Sequence, residues 1–228
     1  MSELVVITGA SRGIGRATAR AFAARGLRLA LLGRPSARQE ETVAECRSLG
    51  VEAYEYAFDL TSADALAQAA RDLLAKQGTP RVVIHNAGDL VRGPLVHETP
   101  VDDWDRVLSV NLRAPFLLSR ALLPSMLAAG RGRIVHVSSI SATLGSPGAA
   151  SYSASKWGLI GLSKSLADEL RGTGLQSLAI LPGSTDTDML AQTPFPAKMS
   201  PEHVARLLVF YALEAPDAIQ GSAVEMFG

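Results

Sequence analysis

The sequence predicts an α/β fold: a single doubly wound domain over residues 1–228, with a parallel sheet and helices on both of its faces. Three observations predict it. Short apolar runs alternate with stretches of helical periodicity along the whole chain. Two of the runs, Leu27–Leu32 and Arg81–Ile84, are apolar almost throughout, as strands buried on both faces are. The first run ends in a glycine-rich turn that leads straight into a helical pattern. Strands joined through helices form right-handed crossovers, so the sheet is expected to be parallel.

Taken in order, Leu4–Ile7 is the first strand and ends in Thr8-Gly9. The spacing of Ile14, Ala17, Ala21 and Ala24 predicts a helix over about 13–25. Leu27–Leu32 is the second strand, closed by Gly33, and a helix over about 36–49 stops at Gly50. Residues 51–58 alternate like a strand, 62–77 are helical up to Gly78, and Arg81–His85 is strand-like. A long helical pattern over about 101–129 contains Pro115 and Pro124. Each lacks an N–H, which predicts a kink or break. Residues 133–137 read as a strand, 150–171 as a helix, 175–181 as a strand, 201–214 as a helix and 222–226 as a last short strand. Pro182 to Ser200 fits neither period and is rich in Pro, Thr and Asp, so a loop or short lid is expected over about 184–200.

Composition narrows the function classes. Lysine plus arginine and aspartate plus glutamate number 22 each, so no net charge argues for nucleic acid or an anionic membrane as partner. No apolar run is long enough to cross a bilayer. The start, Met1-Ser2-Glu3, has no basic region and no cleavage signal, so a cytoplasmic location is expected. Cys46 is alone, which excludes an internal disulfide and a cysteine metal cluster; it is expected to be inert packing. His85, His97, His136 and His203 show no paired ligand spacing, and no metal is expected. Lysine occurs only at 76, 156, 164 and 198 and asparagine only at 86 and 111, so roles that need either have few candidates.

Two motifs carry chemistry. Thr8-Gly9-Ala10-Ser11-Arg12-Gly13-Ile14-Gly15 stands between the first strand and the first helix. Glycines there let the backbone approach a pyrophosphate, and the helix N-terminus offers free N–H groups. The turn lacks the Gly-Lys-Ser/Thr end of a phosphate loop for ATP or GTP. In Tyr152-Ser153-Ala154-Ser155-Lys156, Tyr152 and Lys156 share a helix face. A nearby ammonium favours the phenolate and is expected to lower the Tyr152 pKa, so that the pair trades a proton with an alcohol or carbonyl. A lone Tyr-x-x-x-Lys is usually a solvated helix face. Ser138-Ser139, at the end of the preceding strand, points instead to a ligand site.

The chain resembles the classical short-chain dehydrogenase/reductase family from end to end, and the 3-oxoacyl-[acyl-carrier-protein] reductases within it. The glycine turn is similar to the family's cofactor turn. His85-Asn86-Ala87-Gly88 resembles its Asn-Asn-Ala-Gly element, with His85 in place of the first Asn. Asn111 stands in Val-Asn-Leu, Ser139 precedes Tyr152 by the family's interval, and Pro182-Gly183 with Thr185 and Thr187 resembles the element at the nicotinamide end.

The resemblance implies a Rossmann fold and assigns roles. Tyr152 is the general acid or base, and Ser139 binds the reacting oxygen. Lys156 binds the nicotinamide ribose and lowers the Tyr152 pKa. Asn111 holds a water between Lys156 and solvent. The cofactor set is Gly9, Ser11, Arg12, Gly13, Ile14, Gly15, Arg34, Asp59, Leu60, Asn86, Ala87, Gly88, Tyr152, Lys156, Pro182, Gly183, Thr185 and Thr187, with Asp59-Leu60 flanking the adenine. NAD sites place an acid at the end of the second strand; here Gly33 stands there and Arg34 follows, which predicts NADP(H) over NAD(H), with Arg12 closing on the same phosphate. The implied activity is hydride transfer between NADP(H) and a ketone, aldehyde or secondary alcohol, with a 3-oxoacyl thioester as one substrate type. The rival reading is a non-catalytic NADP-binding redox sensor or partner-binding protein.

Partners follow in the same way. Arg131 and Arg171 lie where such reductases bind an acidic carrier, or are ordinary surface charges. A homodimer or homotetramer is expected through helices 101–129 and 150–171. The lid is short for the family, and Phe227 stands where many members carry Asp. Trp157, beside Lys156, has two readings: contact with substrate and, as expected, packing against a helix.

Overall fold

The computed structural model describes residues 2–228. Seven parallel strands form one sheet in the order β3-β2-β1-β4-β5-β6-β7. They are β1 (Leu4–Thr8), β2 (Arg28–Gly33), β3 (Ala53–Ala57), β4 (Val82–His85), β5 (Gly132–Val137), β6 (Leu175–Pro182) and β7 (Ala223–Met226). The helices are α1 (Gly13–Ala23), α2 (Ala37–Ser48), α3 (Ala63–Gln77), α4 (Val101–Leu108), α5 (Ala114–Ala129), α6 (Ala150–Glu169) and α7 (Pro201–Leu213). The expected doubly wound fold is therefore present, with each expected strand and helix in its place.

Each face of the sheet has its own apolar core. Val5, Ile7, Leu29, Leu31, Val82 and Ile84 face α1, α2 and α7, whose Phe22, Cys46 and Leu208 are fully buried. Leu4, Val6, Ala30, Leu32, Val83 and Ile134 face α3, α5 and α6. Adjacent residues of one strand thus enter opposite cores, which is why these runs are apolar without alternation. Helix starts follow their caps: Ser36 and Ser62 accept hydrogen bonds from the Gln39 and Ala65 amides. Burial raises the Cys46 thiol to about 11, consistent with inert packing.

The long helical pattern departs from expectation in where it breaks. Pro124 lies inside α5 without interrupting it. The break is a π turn at Ser109–Arg113, one turn ahead of Pro115, where Ala114 donates to the carbonyl five residues back on Ser109. Pro115, in the first turn of α5, has no N–H to give the Asn111 carbonyl four residues earlier. The wide turn is the local answer to that missing donor.

The histidines are not all scattered. His85 and His136 are paired residues on β4 and β5, both buried, with rings stacked at 4.9 Å. His85 Nε2 lies 2.8 Å from Ser119 Oγ of α5. Burial pushes His85 down to about 3, and His136 well down also, with the nearby Lys156 charge adding to the effect on His136.

Both histidines stay neutral in the folded chain, while the unfolded chain takes up protons near pH 6.5. Their contribution to stability is complete above that pH and is lost as pH falls through it. Between pH 7 and pH 5 we expect a loss of about 2 kcal/mol for each histidine. Denaturant unfolding at the two pH values measures it, and the difference should shrink in His136→Asn.

Candidate active site

The site lies at the C-terminal edge of the sheet, where strand order reverses between β1 and β4. Here the chain crosses itself at backbone distance. Gly9 (φ +69°) and Gly13 (φ +53°) hold left-handed backbone. A Cβ on Gly9 would stand 2.7 Å from Ala87 Cα, and one on Gly15 would stand 2.2 Å from the Gly9 carbonyl oxygen. Asn86 Nδ2 donates to the carbonyls of Thr8 and Gly9, at 3.0 Å each. Thr8 Oγ1 accepts from the amides of Asn86 (3.0 Å) and Ala87 (3.1 Å). Thr8 is absent from the predicted set; its signal was its place as last residue of the strand, directly before Gly9. No side chain caps α1 among the described residues, so its first amides are open to an anion. Bare backbone, a left-handed turn and open amides fit a dinucleotide pyrophosphate.

Ser139, Tyr152 and Lys156 come together beside this turn. Ser139 follows β5 in extended conformation, and its Oγ accepts from the Ser141 amide at 3.1 Å. Ser138 Oγ donates to the Lys156 carbonyl at 2.9 Å, which seats α6 on the end of β5. Lys156 is buried, with Nζ 2.8 Å from the Val137 carbonyl oxygen and 5.7 Å from the Tyr152 ring centre. Burial pushes Lys156 down to about 8. Tyr152 does not follow the expected shift: burial raises its pKa, and a hydrogen bond with Ser139 only opposes this. The desolvation of the phenolate outweighs the help that a partly neutralised, distant ammonium can give.

Asn111 is buried in the π turn, and its side chain is already occupied. Oδ1 accepts from the Asp89 amide at 2.7 Å; Nδ2 donates to the Asp89 carbonyl and to Ser155 Oγ, at 2.9 Å each. Ser155 donates onward to the Tyr152 carbonyl at 2.7 Å. Asn111 therefore ties the loop after β4 to α6, and Ser155 is a support that the motif did not single out. A Cβ on Gly88 would lie 3.7 Å from Lys156 Nζ, so residues 86–88 run close beside the lysine.

On the β2 side, Gly33 faces Gln39: a Cβ there would stand 2.8 Å from Gln39 Oε1. Arg34 is exposed next to it. Arg12 donates to Asp188 at 2.8 Å, and Arg38 reaches the same carboxylate at 2.9 Å. Arg38 and then Arg12 hold Asp188 below the usual carboxylate range. Arg38 and Asp188 were not foreseen, because a pair 150 residues apart leaves no local pattern. Asp59 Oδ1 accepts from the Thr61 amide at 2.9 Å and leads into buried Leu60. Ile14 packs into the core behind the turn.

The lid is tied at its base. Thr185 bridges Met199, and the Lys198 amide donates to the Ser184 carbonyl at 2.8 Å. The Gly183 amide donates to Met226 at 2.8 Å, and Thr187 lies against Gly13, where an added Cβ would meet its methyl at 3.0 Å. The segment thus folds back over the glycine turn. Trp157 is 54% exposed. Arg131 pairs with Glu3 at 3.2 Å and Arg171 with Asp168 at 2.7 Å.

The sequence model of the short chain dehydrogenase family matches residues 3–195. The chain is 39% identical over 188 residues to a short chain dehydrogenase of Pseudocercospora fijiensis, covering 82% of this chain and 61% of that protein. It is 34% identical to a 3-oxoacyl-[acyl-carrier-protein] reductase of Synechocystis, over 93% of this chain and 90% of the relative. It is 30% identical to one of Thermotoga maritima, over 99% and 96%. A crystal structure provisionally assigned as a gluconate dehydrogenase, from Agrobacterium tumefaciens, superposes with a TM-score of 0.92 at 31% identity, covering 99% of this chain and 94% of that one.

Proposed function

The chain belongs to the short-chain dehydrogenase family, and from that premise we propose that it is an NADP(H)-dependent carbonyl reductase, acting reversibly, whose substrate is a 3-oxoacyl thioester or a similar oxo compound. The observation that carries the proposal is a buried ammonium, Lys156, one helical turn from the half-buried Tyr152, with its Nζ 5.7 Å from the Tyr152 ring centre and with Ser139 beside that phenol. When bound, the nicotinamide supplies or receives the hydride. Tyr152 gives its phenol proton to the carbonyl oxygen in reduction and takes it back in oxidation. Ser139 donates a hydrogen bond to that oxygen and stabilises its growing charge. Lys156 holds the ribose end and offsets negative charge on Tyr152. Asn111 is a positioning residue, through Asp89 and Ser155. The pyrophosphate is assigned to Gly9, Ser11, Gly13 and Gly15, and the middle of the cofactor to Asn86–Gly88.

Tyr152→Phe is expected to lower kcat by at least about 100-fold while NADPH affinity stays within a few-fold. The reductive kcat/KM of the wild type should fall above pH 8, because rising pH removes the Lys156 proton. Turnover by Tyr152→Phe close to that of the wild type overturns the mechanism.

For cofactor choice, the support is the absence of an acid at Gly33 and three guanidiniums, Arg12, Arg34 and Arg38, around the start of α2. Against them stands one carboxylate, Asp188. A guanidinium suits the 2′-phosphate in charge and geometry. Arg34→Ala isolates the effect, since Gly33→Asp would also push on Gln39. The ratio of kcat/KM with NADPH over NADH should fall by about ten- to a hundredfold, as for a lost charge-assisted hydrogen bond. A wild-type preference for NADH, or an unmoved ratio, defeats the assignment.

Assembly is proposed through α4–α6. Leu108, Leu112, Phe116 and Leu162 line a groove there, and Phe116 is 47% exposed. A second copy would cover this apolar strip and steady the helices that carry Asn111 and Tyr152. Light scattering should give an even-numbered oligomer, and Phe116→Asp should shift it towards monomer. A fully active wild-type monomer at micromolar concentration removes the proposal.

A further inference from the structure

We infer that Arg92 binds an anionic group of the substrate, a carboxylate or a phosphate, at the mouth of the candidate active site. The inference rests on the reading of Ser139 and Tyr152 as the reaction centre.

Arg92 stands in the loop between β4 and α4, six residues after Asn86. Its Nη1 donates to Ser146 Oγ at 3.1 Å, in the loop that runs from Ser139 to Tyr152. Its guanidinium lies over the Phe195 ring at 5.1 Å, in the segment after β6. The Gly93 amide donates to the Gly148 carbonyl at 2.8 Å, which holds the first two loops together. Arg92 is thus where the loops following β4, β5 and β6 meet, at the edge of the sheet where ligands of such folds sit.

Its charge has no counterpart in the chain. Among the described residues no carboxylate lies within 4.0 Å of Arg92, and every other arginine without such a partner is exposed, whereas Arg92 is half-buried. A guanidinium stays charged at any ordinary pH, so partial burial without an acid carries a desolvation cost. Of its five N–H groups, one is directed at Ser146, and the contact with Phe195 uses the ring face and no N–H. The remaining N–H edge matches two oxygens of a carboxylate or phosphate. A tie between loops alone would need only the bond to Ser146 and the ring; the charge is the part that an anionic ligand explains. The anion is either the carboxylate of a free oxo acid or the phosphate of a pantetheine-linked thioester.

The test is a pairwise substrate comparison with NADPH. One pair is a short 3-oxo acid against its methyl ester. The other is a 3-oxobutyryl thioester of phosphopantetheine against that of pantetheine. The wild type should favour the charged member of one pair by about tenfold or more in kcat/KM, and that pair identifies the source of the anion. Arg92→Leu should cut that ratio by about tenfold, mainly through KM, and Arg92→Lys should restore part of it. If Arg92→Leu folds poorly, Arg92→Gln keeps a polar hydrogen-bond donor there and removes the charge, and the same loss of ratio is expected. No charged preference in either pair, or variants that slow both members equally, overturns the inference and marks Arg92 as a structural tie. Failure of every carbonyl, with no dependence on Tyr152, instead overturns the underlying reading of the reaction centre.

Discussion

Asn86 reaches across the reversal in strand order and gives both amide hydrogens to the carbonyls of Thr8 and Gly9. Thr8 answers by accepting the amides of Asn86 and Ala87. Each such bond contributes about 1 kcal/mol, but their joint effect is geometric. They hold the ends of β1 and β4 so close that Gly9 and Gly15 have no room for a side chain. The opening of α1, the path of residues 86–88 beside Lys156 and the docking of Thr187 on Gly13 all follow from that crossing.

A second set of polar contacts carries this order towards α6. Ser138 binds the Lys156 carbonyl, and Asn111 binds Ser155. Asn111 makes that bond from within the π turn ahead of Pro115. Buried polar groups that are fully paired fix one arrangement more sharply than apolar packing does. The pair His85–His136 is different: its ring nitrogens are mostly unpaired, and it is held neutral by burial. That makes the layer beneath the site sensitive to acid.

Charge is distributed by function as well as by solubility. Most arginines are paired with acids at the surface, where such pairs contribute little. Two cations that are not exposed have no acid partner: Lys156, buried in the candidate site, and Arg92, half-buried where the loops after β4, β5 and β6 meet. Arg34 stands exposed beside the end of β2.

The strands and helices were legible in the chain because strand and helix periods are local properties. The continuous apolar character of Leu27–Leu32 already implied two covered faces, and the glycine turn, Tyr152 and Lys156 stand out by spacing alone. What stayed hidden depends on distance in space. The stacking of His85 on His136 needs β4 and β5 side by side, the seat of Asp188 between Arg12 and Arg38 needs the lid folded back, and the place of Arg92 needs three loops to converge. The proton affinities of Tyr152 and Lys156 were likewise set by burial. A sequence shows that a phenol and an ammonium share a helix face, but only the packed structure decides how much water each one loses.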